Sequence, residues 1–104
     1  MKKIVKFGGS SLADATQFKK VAKIIKSDES RRYVVPSAPG KRFKEDIKVT
    51  DLLYQTYNAK DKKTFEDNFN LVKARFQSII DELKLDLSLE QEFVTIKKAF
   101  QNKI

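Results

Sequence analysis

The pattern of apolar and polar positions predicts a strand, a helix and a second strand in the first 40 residues. Residues 3–7 form a short run with β-branched side chains, and the Gly-Gly that ends it indicates a buried strand running into a tight turn. Residues 33–35 are a second short apolar run, which residues 36–40 end. Between them, four apolar residues recur at the spacing of one helical face: Phe18, Val21, Ala22 and Ile25. This order predicts a βαβ unit with parallel strands and a right-handed crossover.

The chain beyond Gly40 predicts a loop and three helices. Residues 41–48 are charged without a period, so we expect a surface loop there. Thr50 is the expected N-cap of a helix whose apolar side is Leu52, Leu53 and Tyr57. The clearest helix covers residues 63–84, with one face formed by Phe65, Phe69, Val72, Phe76, Ile79, Ile80 and Leu83. A capping box of Ser88 and Gln91 opens the last helix, whose stripe is Leu89, Phe93, Ile96 and Phe100.

The helical stripes predict a packed core rather than a ligand site. Phenylalanines spaced by three or four residues along a helix are core residues far more often than they line a binding site. Two strands cannot cover the apolar faces of four helices, so we expect more of the fold to follow Ile104. The predicted fold class is therefore α/β, with an incomplete βαβ unit followed by helices.

Composition narrows the chemistry that is available. The 104 residues include no cysteine and no histidine, which argues against zinc, haem, thiolate and imidazole chemistry. The length fits one domain at most. We find no apolar run long enough to cross a bilayer and no signal peptide, and we therefore expect a soluble cytoplasmic protein.

The positive charge is concentrated in the first half of the chain. Residues 1–50 contain 13 Lys/Arg and 5 Asp/Glu, whereas residues 51–104 contain 9 of each. This asymmetry fits an anion bound near the first segments, although a solvated lysine-rich surface explains it as well. Lys41 and Arg42 are expected to be exposed charges, with closure over bound phosphates as the alternative.

Two of the three glycines, Gly8 and Gly9, are adjacent and end the first predicted strand. Open α/β sheets bind ligands at this end of their strands, where a residue without Cβ lets a phosphate reach backbone N–H groups. We expect a helix starting near Ser11 to add its positive end, and Lys6 to add a full charge. The spacing fits neither the Walker pattern nor the dinucleotide fingerprint, and it is also compatible with a simple tight turn.

Three motifs resemble those of aspartokinases, in the order in which that family has them. IVKFGGSSL (residues 4–12) resembles the Lys-Phe-Gly-Gly signature, VVPSAPG (34–40) the strand ending in Ser-Ala-x-Gly, and VTDLLY (49–54) the Thr-(Asn/Asp)-Leu-Leu helix start. The resemblance implies an amino-acid kinase sandwich built on a parallel sheet, of which residues 1–104 are the N-terminal portion of the catalytic domain. It also implies a homo-oligomer in the complete enzyme.

The activity implied by the resemblance is ATP-dependent phosphorylation of the side-chain carboxylate of L-aspartate, with Mg2+, in lysine, threonine and methionine biosynthesis. By the match, Lys6, Gly8, Gly9 and Ser10 contact ATP phosphates, and Lys6 also stabilises the transferring group. Ser37 and Thr50 help to hold aspartate. Phosphoryl transfer depends on positioning and charge neutralisation, so it requires neither histidine nor cysteine.

Two stretches that complete the family's site, one like Ser-x-Gly-Glu and one like Arg-Gly-Gly-Ser-Asp, do not occur before Ile104, and neither does an ACT domain. We therefore expect the chain to be inactive alone. Two alternatives stay open. One is a nucleic-acid-binding module that uses the basic first half with Tyr33 and Phe43, and the other is a non-catalytic remnant of the kinase fold.

Overall fold

The computed structural model describes residues 1–101, in which two strands and four α-helices follow one another in the expected order. The elements are β1 (Lys3–Phe7), a 3-10 turn (Gly9–Leu12), α1 (Ala15–Lys26), β2 (Arg31–Pro36), α2 (Val49–Tyr57), α3 (Lys62–Glu82) and α4 (Glu90–Gln101). The α/β class is confirmed. The chain forms two compact units, Met1–Thr50 and a second from Asp51 onward, and the boundary falls inside α2.

The first unit is a βαβ arrangement, as the pattern predicted. β1 and β2 pair in parallel, with Val5 opposite Val34 and Lys6 opposite Val35. Parallel neighbours need a crossover connection, and α1 supplies it. The carboxyl ends of both strands therefore lie at the same edge of the sheet.

The expectation that the first strand is buried is wrong for the described residues, and the second strand is exposed as well. Ile4 is 76% exposed and Val35 is 51% exposed, and the whole of β2 beyond its first residue is exposed. Parallel strands become buried when helices and further strands cover their faces and edges. Within residues 1–101, β1 and β2 are each other's sole strand neighbours, so their apolar side chains stay in contact with solvent.

Helix α1 begins later than expected. Its N-cap is Asp14, whose side chain accepts the backbone N–H of Gln17 at 3.0 Å. Of the predicted stripe, Val21 is buried, whereas Ala22 is exposed. At the other end, the N–H of Ser27 donates to the carbonyl of Lys23 at 3.1 Å, which satisfies one of the last carbonyls of the helix.

Helix α2 begins two residues earlier than predicted, because a Thr50 N-cap would make Asp51 the first helical residue, so Thr50 is not its N-cap. The first helical residue is Val49, whose N–H donates to the Pro39 carbonyl at 3.0 Å. The apolar side also differs, because Tyr57 is 45% exposed and Thr56 is fully buried. The hydroxyl of Thr56 donates to the Leu52 carbonyl at 2.7 Å, which satisfies the polar group inside the helix.

The second unit has a phenylalanine core, in agreement with the packing assignment. Phe65, Phe69 and Phe93 are buried, with stacked rings 5.9 Å apart for the first two and a T-shaped contact of 6.3 Å between Phe69 and Phe93. Ile96 was expected on the same stripe of α4 but is 38% exposed. An ion pair of 2.8 Å between Lys97 and Glu66 also joins α4 to α3.

The start of α4 is close to the predicted capping box. The Ser88 hydroxyl accepts the N–H of Glu90 at 3.3 Å, and Glu90 is the first helical residue. The box was expected to pair Ser88 with Gln91. Ser88 lies two residues before the first helical residue, and its hydroxyl accepts from Glu90 and not from the expected Gln91.

The end of α3 places a lysine in a conformation that favours glycine. Lys84 has φ of 55°, and its N–H donates to the Asp81 carbonyl at 3.1 Å. The next N–H, that of Leu85, reaches the Ile80 carbonyl at 3.0 Å, which closes a Schellman-type helix end. A side chain at this position carries a steric cost that glycine avoids.

Lys84→Gly should therefore stabilise the chain, by about 1 kcal/mol. The matched control is Lys73→Gly in the interior of α3, which should destabilise it by about 1 kcal/mol because glycine is a poor helix former. Urea unfolding followed by circular dichroism measures both free energies of unfolding. A destabilising Lys84→Gly would contradict the strained helix end.

Candidate functional site

Three backbone hydrogen bonds join the segments that carry the three motifs. The Ser37 N–H donates to the Phe7 carbonyl at 3.0 Å, and the Gly40 N–H donates to the Gly9 carbonyl at 2.8 Å. The first bond connects the end of β1 to the Ser-Ala loop (residues 36–40), and the second connects the Gly-Gly turn (residues 8–12) to the same loop. The bond from the Val49 N–H to the Pro39 carbonyl then connects that loop to the start of α2. Segments up to 40 residues apart in sequence therefore meet at the carboxyl edge of the sheet.

The two adjacent glycines have different surroundings. A Cβ built on Gly8 meets no atom within 4 Å, whereas one on Gly9 lies 3.2 Å from the Ala38 carbonyl oxygen and 3.2 Å from the Gly40 Cα. Neither glycine has a positive φ. Gly9 therefore allows the turn to pack against the Ser-Ala loop, while Gly8 leaves an open surface that a ligand can approach.

The N–H groups of the Gly-Gly turn are partly used inside the turn. The Ser11 N–H donates to the Gly8 carbonyl at 3.1 Å. The N–H groups of Gly9 and Ser10 come at the start of the 3-10 turn, where a helix offers them no acceptor of its own. Beside the open surface at Gly8, these two N–H groups are the candidate donors to an anion.

The N-terminus of α1 does not contribute at Ser11, contrary to expectation. The α-helix starts at Ala15, and the Asp14 carboxylate caps it. The negative charge of the capping carboxylate offsets the partial positive charge at the start of α1. We therefore do not count the end of α1 among the groups that stabilise an anion at the turn. The sequence did indicate this helix start, because Asp14 followed three residues later by Gln17 is a capping pattern.

The predicted site residues belong to the segments that the three backbone hydrogen bonds join. Lys6 is exposed on β1, one residue before Phe7, and Ser10 is exposed in the Gly-Gly turn. Ser37 is exposed in the Ser-Ala loop, which its own N–H ties to β1. Thr50 is exposed on α2, directly after Val49. The roles of these residues in binding remain predictions.

An ion pair organises the loop at residues 41–48. The Arg42 guanidinium donates to both carboxylate oxygens of Asp46, at 2.6 and 3.0 Å, and the Arg42 N–H adds a third bond of 3.0 Å. The Asp46 side chain is 9% exposed. The hydrogen bond from Arg42 lowers the pKa of the Asp46 carboxyl far below its usual value, and Asp46 in turn raises the pKa of Arg42.

This ion pair bears on both alternatives for the loop. The Arg42 guanidinium is already paired with the Asp46 carboxylate, so binding a phosphate would require it to break or share this ion pair. The guanidinium also lies 5.7 Å from the ring centre of Phe43. Because the positive charge of Arg42 is paired with Asp46, it is less available to a nucleic-acid phosphate than the sequence alone indicated.

Metal-binding groups do not cluster in the part of the chain that the structure describes. Within residues 1–101, no three Asp, Glu, His or Cys side chains come together as they would around an ion. The helices of the same residues include none with the length and hydropathy needed to cross a bilayer.

The fold and the loops define an α/β protein with a candidate anion site at the carboxyl ends of parallel strands. The model of the amino acid kinase family matches residues 1–98. The chain therefore belongs to the amino acid kinase family.

Two known aspartokinases resemble the chain, one in sequence and one in structure. Aspartokinase 3 of Bacillus subtilis (strain 168) is 63% identical over 51 residues, which are 49% of this chain and 11% of the relative. The crystal structure of Clostridium acetobutylicum aspartate kinase matches with a TM-score of 0.86 and 46% identity, over 98% of this chain and 24% of that one. These matches confirm the resemblance to aspartokinases.

A more distant structure was solved with ligands. Escherichia coli aspartokinase III, in complex with aspartate and ADP, matches with a TM-score of 0.69 and 25% identity, over 96% of this chain and 21% of that one. The chain thus spans less than a quarter of the length of these three relatives.

The Arg42–Asp46 ion pair predicts that the thermal stability of the chain decreases at acidic pH. A lowered folded-state pKa means that the carboxylate stabilises the fold fully above its unfolded pKa of about 3.9, and that this stability is lost as the pH falls through the folded-state pKa. Asp46→Asn keeps the size of the side chain but removes its charge. Wild type should therefore have the higher Tm at pH 7, and the difference should shrink progressively below about pH 4.

Thermal unfolding from pH 7 to about pH 2.5 measures that difference. Arg42→Ala is the companion variant, because it removes the partner while leaving the carboxyl in place. In its background, Asp46→Asn should have a smaller effect at pH 7. A difference in Tm that stays constant over the whole pH range would contradict the assignment.

Proposed function

We propose that this chain forms part of the active site of an aspartokinase, which transfers the γ-phosphoryl group of ATP to the side-chain carboxylate of L-aspartate. The product is 4-phospho-L-aspartate, and the reaction is the first step of lysine, threonine and methionine biosynthesis. Support comes from the family match and from the relatives, one of which was crystallised with aspartate and ADP.

The observation that carries the proposal is the backbone connection between the three motifs. The Gly-Gly turn, the Ser-Ala loop and the start of α2 are joined by hydrogen bonds of 2.8 to 3.0 Å at one edge of the sheet. Open α/β sheets bind their ligands at this edge. The open surface at Gly8 leaves room there for a phosphate group.

In the proposed reaction, the chain contributes charge and orientation. The N–H groups of Gly9 and Ser10 donate to phosphate oxygens above the open surface of Gly8. Lys6 neutralises the negative charge that spreads over the transferring phosphoryl group. Ser37 and Thr50 hold aspartate so that a carboxylate oxygen attacks phosphorus in line with the departing ADP.

The residues fit a nucleotide phosphate better than a metal ion. N–H donors and a lysine suit phosphate oxygens, whereas Mg2+ requires oxygen ligands, and the acidic side chains of residues 1–101 do not cluster. Mg2+ enters the proposal with ATP, and we assign no step to a metal ligand of this chain.

Residues 1–104 are proposed to be the N-terminal portion of the catalytic domain, and the complete enzyme to be a homo-oligomer. The chain spans 11% to 24% of the relatives, so most of their length has no counterpart in it. We accordingly propose that the 104 residues alone do not turn over aspartate.

The test is a chimera in which these 104 residues replace the matched segment of the Clostridium acetobutylicum enzyme. It should release ADP in the presence of aspartate, ATP and Mg2+, whereas the 104-residue chain alone should not. In the chimera, Lys6→Ala should lower kcat by about 10² to 10³, the usual cost of one preorganised charge at a transition state.

Lys2→Ala is the matched control, because Lys2 is also exposed but precedes β1. It should retain the kcat of the parent chimera, and light scattering with circular dichroism should give all variants the same mass and helix content. An inactive but folded chimera would overturn the proposed function, and a Lys6→Ala variant as active as Lys2→Ala would overturn the role of Lys6.

Ser37→Ala should raise the KM for aspartate more than the KM for ATP. The lost hydroxyl leaves a polar group of the amino acid without its partner, while the backbone N–H that ties Ser37 to Phe7 is retained. Initial rates with each substrate varied in turn measure both constants. Ser78→Ala on the exposed side of α3 is the control, and an equal rise in both KM values for Ser37→Ala would contradict the assignment to aspartate.

A further inference from the structure

We propose that Gly40 is a positioning residue that orients the Gly9–Ser10 peptide so that its N–H points to the bound phosphate. This inference rests on the proposed function and extends it to a residue that belongs to the other loop. Gly40 itself is buried and has no side chain that could touch a substrate. It would act entirely through the backbone.

The hydrogen bond between the loops sets the direction of this peptide. The Gly40 N–H donates to the Gly9 carbonyl at 2.8 Å, so that carbonyl faces the Ser-Ala loop. In a trans peptide, the carbonyl and the following N–H point in opposite directions, and the described chain contains no cis peptide. The Ser10 N–H is therefore held facing away from Gly40.

The orientation matters because the two ends of a peptide have opposite effects on an anion. An N–H aimed at a phosphate oxygen stabilises it, whereas a carbonyl oxygen aimed there repels it. Glycine at positions 8 and 9 leaves this stretch of backbone with unusual freedom to rotate. The bond from Gly40 restricts that freedom in the half of the turn that carries the Ser10 N–H.

The crowding at Gly40 falls on the atoms of this same peptide. A Cβ at Gly40 would lie 2.6 Å from the Gly9 carbonyl carbon, 2.8 Å from its oxygen and 2.9 Å from the Ser10 nitrogen. All three are backbone atoms, which cannot swing aside as the end of a side chain can. Any residue other than glycine must therefore displace the peptide plane that Gly40 orients.

Gly40→Ala in the chimera should lower kcat/KM for ATP by about tenfold to a hundredfold, the scale expected for a misplaced donor. Val21→Ala is the control for stability, because Val21 is buried on α1 and belongs to neither loop. It should lower Tm with less than about a twofold change in kcat/KM for ATP. A purely structural role for Gly40 would give the two variants the same kinetic constants once both are folded.

A second variant separates the hydrogen bond from the added volume. Cell-free translation can place glycolic acid at position 40, which replaces the N–H by an ester oxygen and adds no atom to the gap. Its kcat/KM for ATP should fall about tenfold, because the peptide loses the bond that orients it. This variant also applies if Gly40→Ala does not fold.

The outcomes are distinct. An active parent chimera whose ester variant keeps the parent's kcat/KM for ATP would overturn the role of Gly40 while the proposed function stands. A folded parent chimera without aspartate-dependent ADP release would overturn the proposed function and this inference with it. A selective loss in the ester variant, with Val21→Ala unaffected, supports the inference.

Discussion

The contact between the Gly-Gly turn and the Ser-Ala loop is the constraint on which the candidate site depends. At this contact, backbone meets backbone with a hydrogen bond of 2.8 Å, and there is no room for a side chain at Gly40. This hydrogen bond orients the Gly9–Ser10 peptide, and a second bond, from the Val49 N–H to the Pro39 carbonyl, ties the start of α2 to the same loop. A site that recognises phosphate through N–H groups requires such fastening, because peptide dipoles stabilise charge only when they are held in place.

Local patterns predicted the elements of this fold well because their determinants are local. The βαβ order, the limits of β1 and the phenylalanine core of the second unit all follow from periodicities within short segments. The burial of the strands did not follow, since it depends on what covers a sheet and not on the strand's own residues. The start of α2 was misplaced by two residues because the N–H of its first residue, Val49, finds an acceptor in Pro39, ten residues away in sequence.

The sequence supplied candidate site residues, whose roles stay predictions, but it did not supply the contacts between the segments that carry them. The resemblance pointed to Lys6, Ser37 and Thr50, and the described structure brings their segments to one edge. The pairing of Gly9 with Gly40 was not foreseen, since nothing in a sequence says which glycines meet. The same holds for Arg42 and Asp46, whose spacing of four residues suggests a helix but which form their ion pair within a loop.

The backbone angles separate two reasons for which a protein can retain glycine. Within the described residues no glycine has a positive φ, and Gly8 has φ of −75° and ψ of 174°, a conformation open to every L-amino acid. The fold by itself thus permits substitution at position 8, whereas crowding forbids it at position 40. A requirement for glycine at position 8 would therefore come from a ligand that occupies the space of a side chain. A requirement for glycine at position 40 comes from the close packing of the two loops. Two glycines of one candidate site can therefore be retained for separate reasons, one for ligand recognition and one for the packing of the loops.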